Sequence, residues 1–474
     1  MPVITSVTCP VCGSLCDDIE LVIEDNVVTK VKNGCALCEA KFLNYSNHRP
    51  SAPMIRKGGK LIEASMDDAV RRSAEILANA SYPILYGWSS TSCEAIQVGL
   101  ELAEEVGGVI DNTSTVCHGP SILSIQDVGM SSTTLGQLRH RADLVIYWGS
   151  NPWSSHPRHI ERYTTLSEGR FQPSSWRRYL MHTDRYRAKK RLKRAAEMVP
   201  GGKDIRPTEP DFIYSLHRED RKLIVVDVRR TRTAEIADYF IQIKPNTDYD
   251  LLQAFRMLVR DEEIEVDEVS GVSVEALEQV AEAMVGCRLG ILFFGLGLTM
   301  TEGKLRNVDA ALSLVRDLNQ RTKFLIMPMR GHFNVTGTNV VFTWQTGYPY
   351  AVDFAHGYPR YNPGETSVID ILCNGESDAA LVIASDPVSH FPKEAVKNLV
   401  ANPLVVIDPQ VTPTSLMADV VIPSTLVGIE AEGTAYRMDR VPLPLKKVVE
   451  PPEGFVSDVE ILQRLLGEVH SLRG

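Results

Sequence analysis

Residues 9–19 read Cys9-Pro10-Val11-Cys12-Gly13-Ser14-Leu15-Cys16-Asp17-Asp18-Ile19, and two further cysteines, Cys35 and Cys38, follow within the first forty positions. Five of the chain's nine cysteines are therefore gathered at one end. A C-x2-C-x3-C turn delivers three thiolates from one loop, and a distant cysteine closes the fourth corner of a cubane iron-sulfur cluster. The same residues also make two C-x2-C knuckles, Cys9/Cys12 and Cys35/Cys38, the usual frame of an all-thiolate zinc site, with Cys16 then spare. The three-cysteine turn favours the cluster, and on spacing alone zinc stays open.

With 474 residues, 44% of them apolar, the chain can bury more than one core, and two to four domains are expected. A formal net charge of -10 argues against nucleic acid or an anionic membrane as its general partner. The start, MPVITSVTCP, has neither the basic-then-apolar pattern of a secretory signal nor a twin arginine, and no apolar run reaches membrane-spanning length. An odd number of clustered cysteines suits reduced thiolates on a metal better than disulfides, so a cytoplasmic location is expected.

Beyond residue 60 short apolar runs alternate with helical patterns. Strands are predicted over 82–88, 108–112, 143–149, 222–228, 289–295, 323–329, 379–384, 404–408 and 418–423. Nearly all are continuous Val, Ile and Leu runs, the mark of parallel strands buried on both faces. Ser92 to Val106 reads as an amphipathic helix with Thr91 and Glu94 placed as a capping box. The fold class is α/β in layers, with more than one doubly wound sheet. The segment 158–206 breaks the pattern: it has no clear strand and carries the basic run Arg185 to Arg194. Within an acidic chain such a run reads as a docking face for another subunit rather than a nucleic-acid patch.

A second cysteine stands out. Cys117 lies in Asn112-Thr-Ser-Thr-Val-Cys117-His118-Gly119-Pro120, between a strand and a helical pattern. Pro120 suits the first turn of a helix, which places the thiol where the dipole and free N–H groups favour thiolate. A lone cysteine is more often a small buried apolar residue. The adjacent His118, a possible proton donor, raises Cys117 above that. Farther on, Met329-Arg330-Gly331-His332-Phe333-Asn334-Val335-Thr336-Gly337 follows a strand, and Arg330 could clamp a carboxylate through two parallel hydrogen bonds. Several strand ends have nucleotide-type chemistry: Gly149 and Asn151, Asp227 with Arg229 and Thr231, Gly295 and Gly297, Asp386, and Asp408. Each alone is little more than a turn signal, but together they suggest more than one dinucleotide.

In combination these residues resemble the catalytic subunits of the molybdopterin oxidoreductase superfamily, formate dehydrogenases above all. The resemblance runs over nearly the whole chain, and it implies a 4Fe-4S cluster on Cys9, Cys12, Cys16 and a fourth cysteine. The family's Asn-Ala-Cys context, here Asn33-Gly34-Cys35, selects Cys35, with Cys38 as the alternative. Cys117-His118 matches the family's metal-ligating Cys or selenocysteine followed by His, and Arg330 to Gly337 its Arg-Gly-x-x-Asn-Val-x-Gly loop. Pterin-nucleotide segments match at 149–152, 227–234, 246–248 including Asp248, and 432–434. The Cys-Asp-Asp-Ile version of the cysteine turn is similar to that of the tungsten or molybdenum subunits of formylmethanofuran dehydrogenases. By resemblance, then, tungsten or molybdenum is held by two molybdopterin guanine dinucleotides and Cys117, and CO2 and formate interconvert there with His118 and Arg330 in attendance. The resemblance further implies partner subunits: a small β-barrel subunit covering a pterin, an amidohydrolase-like subunit and ferredoxin-like electron carriers. The expected domains are an iron-sulfur segment 1–58, an α/β domain from 59–138 and 326–445, a second α/β domain 139–325, and a C-terminal helix in 446–474. The rival readings are a dedicated formate dehydrogenase and a redox-inert scaffold of the same fold.

Overall fold

The computed structural model describes residues 2–167 and 221–474. The basic run Arg185 to Arg194, and with it most of the 158–206 segment, lies outside the described residues. Two compact units emerge, one from Met1–Val116 with His332–Gly474 and one from Cys117–Gly331. Along the chain the first unit contributes β1 (Val3–Val7), β2 (Ile19–Glu24), β3 (Val27–Lys32), β4 (Met54–Lys57), β5 (Lys60–Glu63), β6 (Pro83–Gly87) and β7 (Val109–Asn112). The second unit holds β8 (Leu144–Trp148), β9 (Lys222–Asp227), β10 (Tyr239–Gln242), β11 (Glu268–Val269), β12 (Val272–Ser273), β13 (Leu289–Phe294) and β14 (Lys323–Pro328). Back in the first unit are β15 (Val352–Asp353), β16 (Arg360–Tyr361), β17 (Ala379–Ile383), β18 (Leu404–Ile407), β19 (Val420–Ile422), β20 (Gly433–Tyr436) and β21 (Pro442–Leu445).

In the first unit β1, β2 and β3 form an antiparallel sheet, and Ile19, Leu21 and Ile23 are buried in alternation along β2, the period of a strand with one covered face. The cysteine turn joins β1 to β2. A larger sheet has the order β16-β15-β7-β6-β17-β18-β19-β4-β5, parallel from β7 to β19 and antiparallel at both edges. Its parallel strands are buried on both faces. Leu85, Ile110, Leu381, Ile383, Val405 and Ile407 pack on one side with the helices Cys93–Val106 and Asp458–Arg473. Ile84, Val109, Val382, Leu404 and Val406 pack on the other with Val368–Asn374 and Lys393–Ala401. This two-sided burial is why the sequence shows continuous rather than alternating apolar runs. Position 58, the expected end of the iron-sulfur segment, falls inside the β4–β5 hairpin at the sheet's edge.

One local expectation is corrected. Ser92, not Thr91, is the N-cap of Cys93–Val106 and accepts the Ala95 N–H. Thr91 instead donates its hydroxyl to Asp458, and Glu94 accepts the backbone N–H of Thr434. Buried acceptors and donors elsewhere in the fold outcompete the local box.

The second unit is a single five-stranded parallel sheet of order β10-β9-β8-β13-β14, with the small β11–β12 ribbon beside it. Ile146, Trp148, Ile224, Val226, Leu292 and Phe294 anchor its core against the helices Asp248–Val259 and Lys304–Leu318.

Candidate active site

Both units place their polar strand ends where the strand order reverses. In the second unit the chain runs from β8 outward to β9 and β10, then restarts on the other side of β8 with β13 and β14. Ligands in such sheets bind outside the carboxyl ends at this switch point. Here the Gly297 N–H donates to Gly149 O at 3.0 Å, and a Cβ on Gly149, whose φ is +54°, would stand 2.8 Å from Gly297 Cα. The two predicted glycines thus meet each other, letting the β8 and β13 turns cross. Asn151 is likewise used within the fold, its Oδ1 accepting the Thr233 hydroxyl at 2.7 Å. Thr231 caps the helix Arg232–Glu235, and Arg229 is exposed beside it.

Two carboxylates of this cluster do face inward. Burial pushes Asp227 and Asp248 above the usual carboxylate range, and Asp227 adds a further upward push on Asp248. Asp248 Oδ1 accepts the indole N–H of Trp148 at 2.8 Å, while its buried Oδ2 has no partner among the described residues. A buried carboxylate oxygen in that state suits a ligand bearing N–H donors, as a guanine edge does. Trp148, which aims Asp248, was not among the sequence candidates.

Cys117 stands just before the helix Gly119–Val128, with His118 as N-cap and Pro120 in the first turn, as the sequence predicts. Burial pushes the Cys117 thiol up to about 11, and only the Arg330 guanidinium pulls it back. A cation beside the sulfur would favour thiolate against that burial. The Thr299 hydroxyl donates to Cys117 O at 3.1 Å.

His118 is fully buried and lowered to about 3 by that burial, with Arg330 adding to the effect. Its Nε2 lies 3.3 Å from Met329 O and its Nδ1 3.0 Å from Ser121 Oγ. A carbonyl only accepts, so Nε2 carries the proton and Nδ1 accepts from the serine. Both ring nitrogens are thus committed, and a proton relay through His118 requires its ring to leave these partners. Arg330 is almost wholly buried and lies directly after Met329.

In the first unit all five N-terminal cysteines share one neighbourhood. The Cys9 N–H bonds to Cys16 O at 2.8 Å, and Leu15, at φ +36°, returns its N–H to Cys12 O at 3.0 Å, which closes the turn. Cys35 is the N-cap of the helix Ala36–Leu43, and Cys38 is buried in its first turn. The Cys9 thiol is held well above its usual range by a hydrogen bond with Cys38, by burial, and by the nearby Cys16 and Cys12. Cys12 rises to about 12 through burial and Cys16, with Cys35 adding to the push. Sulfurs that oppose each other's ionisation this way fit a cationic metal group. Among the described residues no three donors already converge on a single point.

The large sheet of this unit has its switch point between β6 and β17. A cavity of about 410 Å³ opens there, lined by Pro10 and Val11 of the cysteine turn, Lys41, Ser90, Ala384, Asp408, Gln410, Thr425 and Asp458. Burial lifts Asp408 to about 7 against the pull of the Gln410 N–H and Lys41, with Asp458 adding to the rise. Burial also lowers Lys41, partly offset by Asp408. The Thr425 hydroxyl has no partner among the described residues, which suits a polar ligand. Asp386, by contrast, is tied to Thr414 through its N–H and its hydroxyl. Lys41 escaped the sequence reading, although its position three residues past Cys38 on one helix was an available signal.

The loop past Arg330 has a structural logic of its own. Asn334 donates to Thr91 O at 2.8 Å and accepts the Tyr436 N–H at 2.9 Å. A Cβ at Gly337 would come 2.0 Å from Asn334 Oδ1, so the glycine is what lets the asparagine fold back.

A family model described as molybdopterin oxidoreductase matches residues 190–468. The chain is 44% identical to the B subunit of the tungsten-containing formylmethanofuran dehydrogenase 2 of Methanocaldococcus jannaschii, covering 99% of each chain. With the protein of the same name from Methanococcus maripaludis it shares 41% identity over 100% of both. Among solved structures it resembles a chain of the formyltransferase/hydrolase complex of Methylorubrum extorquens in complex with methylofuran. That likeness has a TM-score of 0.65 at 20% identity and covers 89% of this chain and 99% of the other, a similarity of fold.

Proposed function

The chain belongs to the molybdopterin oxidoreductase family, alongside the tungsten-containing B subunits of formylmethanofuran dehydrogenases, and from that premise we propose that it interconverts CO2 and formate as the redox subunit of such an enzyme. The observation that carries the proposal is Cys117: a half-buried thiol at a helix start, within the field of a buried arginine. When bound, a tungsten or molybdenum ion on two molybdopterin guanine dinucleotides supplies a two-electron couple, and a 4Fe-4S cluster supplies one-electron steps.

The protein's own part follows from its residues. Cys117 offers a soft thiolate ligand. Cys9, Cys12, Cys16 and Cys35 would hold the cluster, with Cys38 the alternative fourth ligand. Asp227 and Asp248 would receive one guanine, and the cavity at Asp408, Lys41 and Gln410 the other nucleotide. Arg330 would fix the formate carboxylate through its planar fork and stabilise charge developing on the oxygens. His118, neutral and bonded to Met329 O, holds the backbone just ahead of that arginine.

The proposal extends to partners and place. Formate leaving this site would pass to an amidohydrolase-like subunit for condensation with methanofuran, the first step of methanogenesis from CO2. A small β-barrel subunit would cover a pterin, and ferredoxin-like subunits would feed electrons to the cluster. The proposed site of action is the cytoplasm, where thiolates stay reduced. No helix among the described residues is long and apolar enough to cross a membrane.

Anaerobic purification of the assembly containing this chain tests the reading. The expected result is pterin-bound tungsten or molybdenum, formate-dependent reduction of a viologen dye, and a copurifying hydrolase subunit. An assembly lacking both the metal and formate oxidation would overturn it; one oxidising formate without the hydrolase would be a dedicated formate dehydrogenase.

A further inference from the structure

We propose that His156 is a positioning residue for Arg330, gripping its backbone carbonyl so that the guanidinium is presented in one fixed orientation. The proposal rests on the reading of Arg330 as the carboxylate clamp.

After β8 the chain passes Gly149 and Asn151 and enters two short helices, Pro152–Ser155 and Pro157–Arg162, with His156 at the joint between them. The imidazole is buried, 2% exposed. Its Nε2 lies 2.7 Å from Arg330 O and its Nδ1 2.8 Å from Ser155 Oγ. Because the carbonyl can only accept, Nε2 carries the hydrogen, and the single Ser155 hydroxyl hydrogen is shared between Nδ1 and Asn151 O, which lies 3.1 Å from Oγ.

This bond completes a pair. Met329 O is approached by His118 from the start of the helix Gly119–Val128, and the next carbonyl, Arg330 O, by His156 from the β8 turn. Two imidazoles from two separate loops therefore grip consecutive peptides at the end of β14. The need for that grip lies one residue on. Position 331 is glycine, the residue whose backbone has the widest conformational freedom, so the peptide after Arg330 is the one its own side chains restrain least. The Met329 N–H is secured by Phe294 O at 2.8 Å, which fixes the strand but not the peptide after Arg330.

A neutral donor is also the right kind. Lysine or arginine at 156 would set a second cation beside Arg330 and compete for the same anion. Burial keeps His156 below the usual histidine range, with its bond to Arg330 O pulling the other way. Since a misplacement of about an ångström at a reacting centre costs roughly 100-fold, control of this one carbonyl is enough to matter.

The experiment measures formate oxidation by the purified assembly carrying His156→Phe or His156→Gln, with tungsten content and the reduced-cluster spectrum recorded for each. Glutamine places an amide N–H near the Nε2 position. The expected result is a rise of about tenfold or more in the KM for formate in the phenylalanine variant at unchanged metal content, with recovery to within about threefold in the glutamine variant. Should His156→Phe fail to assemble, His156→Asn, whose amide falls short of Arg330 O, replaces it and is expected to show a smaller KM rise. A parental KM in the phenylalanine or asparagine variant overturns the proposal, as does equal impairment of kcat and metal content in the glutamine and phenylalanine variants. If the parent assembly oxidises no formate at all, it is the functional reading that falls.

Discussion

The indole N–H of Trp148, the last residue of β8, donates to Asp248 Oδ1 at 2.8 Å and leaves the other carboxylate oxygen buried and unpartnered among the described residues. One oxygen is fixed by the protein and one is held for something else. Asp248→Asn keeps an acceptor for Trp148 and replaces the spare acceptor with a donor, which clashes with a guanine N–H edge. The expected outcome is a loss of bound pterin nucleotide, on the order of tenfold, read as guanine nucleotide released by acid from the purified protein. Undiminished release from the variant would remove Asp248 from the nucleotide site.

Cys117→Ala is expected to lower formate oxidation by on the order of 100-fold or more while the reduced-cluster spectrum stays intact. The two readouts separate because Cys117 belongs to the second unit and the N-terminal cysteines to the first. A variant that retained near-parental oxidation would show that the Cys117 thiol is not the ligand.

Much of this arrangement was legible in the sequence, and the exceptions have physical causes. All nine strands predicted from continuous apolar runs are present, because parallel strands covered on both faces need no alternation to reveal them. The edge strands β4, β5, β15 and β16 went unread. They are two to four residues long, and β4, β5 and β16 are only partly buried while β15 is a buried pair, too little for a pattern to register. Cys117, His118 and Arg330 were legible as residue types, but the carbonyl contacts of His118 and His156 were not, since they span 211 and 174 residues. The Thr91 capping box failed for a related reason: its hydroxyl answers to Asp458, 367 residues away. Local rules hold until a buried long-range partner competes.

The fourth corner of the cluster separates by paired substitution. Cys35 has extended backbone as the N-cap, φ -88° and ψ 172°, and so stands at the end of the helix where the dipole favours anionic sulfur. Cys38 lies one turn in and is engaged with Cys9. Cys35→Ser is expected to abolish or shift the electron paramagnetic resonance signal of the reduced cluster, with Cys38→Ser close to parental. The reverse pattern would assign the ligand to Cys38.

Asp111, at the end of β7, tests stability apart from catalysis. Its carboxylate accepts the backbone N–H groups of Asn112, Ala351 and Val368 at 2.7–3.0 Å, joining three segments of the first unit. Asp111→Asn leaves one of those N–H groups facing an amide NH2. The expected cost is about 1–3 kcal/mol, visible as a lower thermal midpoint of the purified protein at pH 7. An unchanged midpoint would mean that the local backbone finds other acceptors.

Acid sensitivity follows from His156. Burial lowers its folded-state affinity for a proton below that of the unfolded chain, so the unfolded state takes up the proton first as pH falls through about 6.5. The stabilising contribution is therefore fully present above that pH and lost below it, with a slope of at most about 1.4 kcal/mol per pH unit for one group. His156→Gln keeps a donor to Arg330 O but cannot titrate. Thermal unfolding between pH 7.5 and 5 is expected to show a shallower fall of the midpoint in the glutamine variant than in the parent. Parallel curves would show that the imidazole gains its proton in the folded state as readily as in the unfolded one, contrary to its burial against the Arg330 carbonyl.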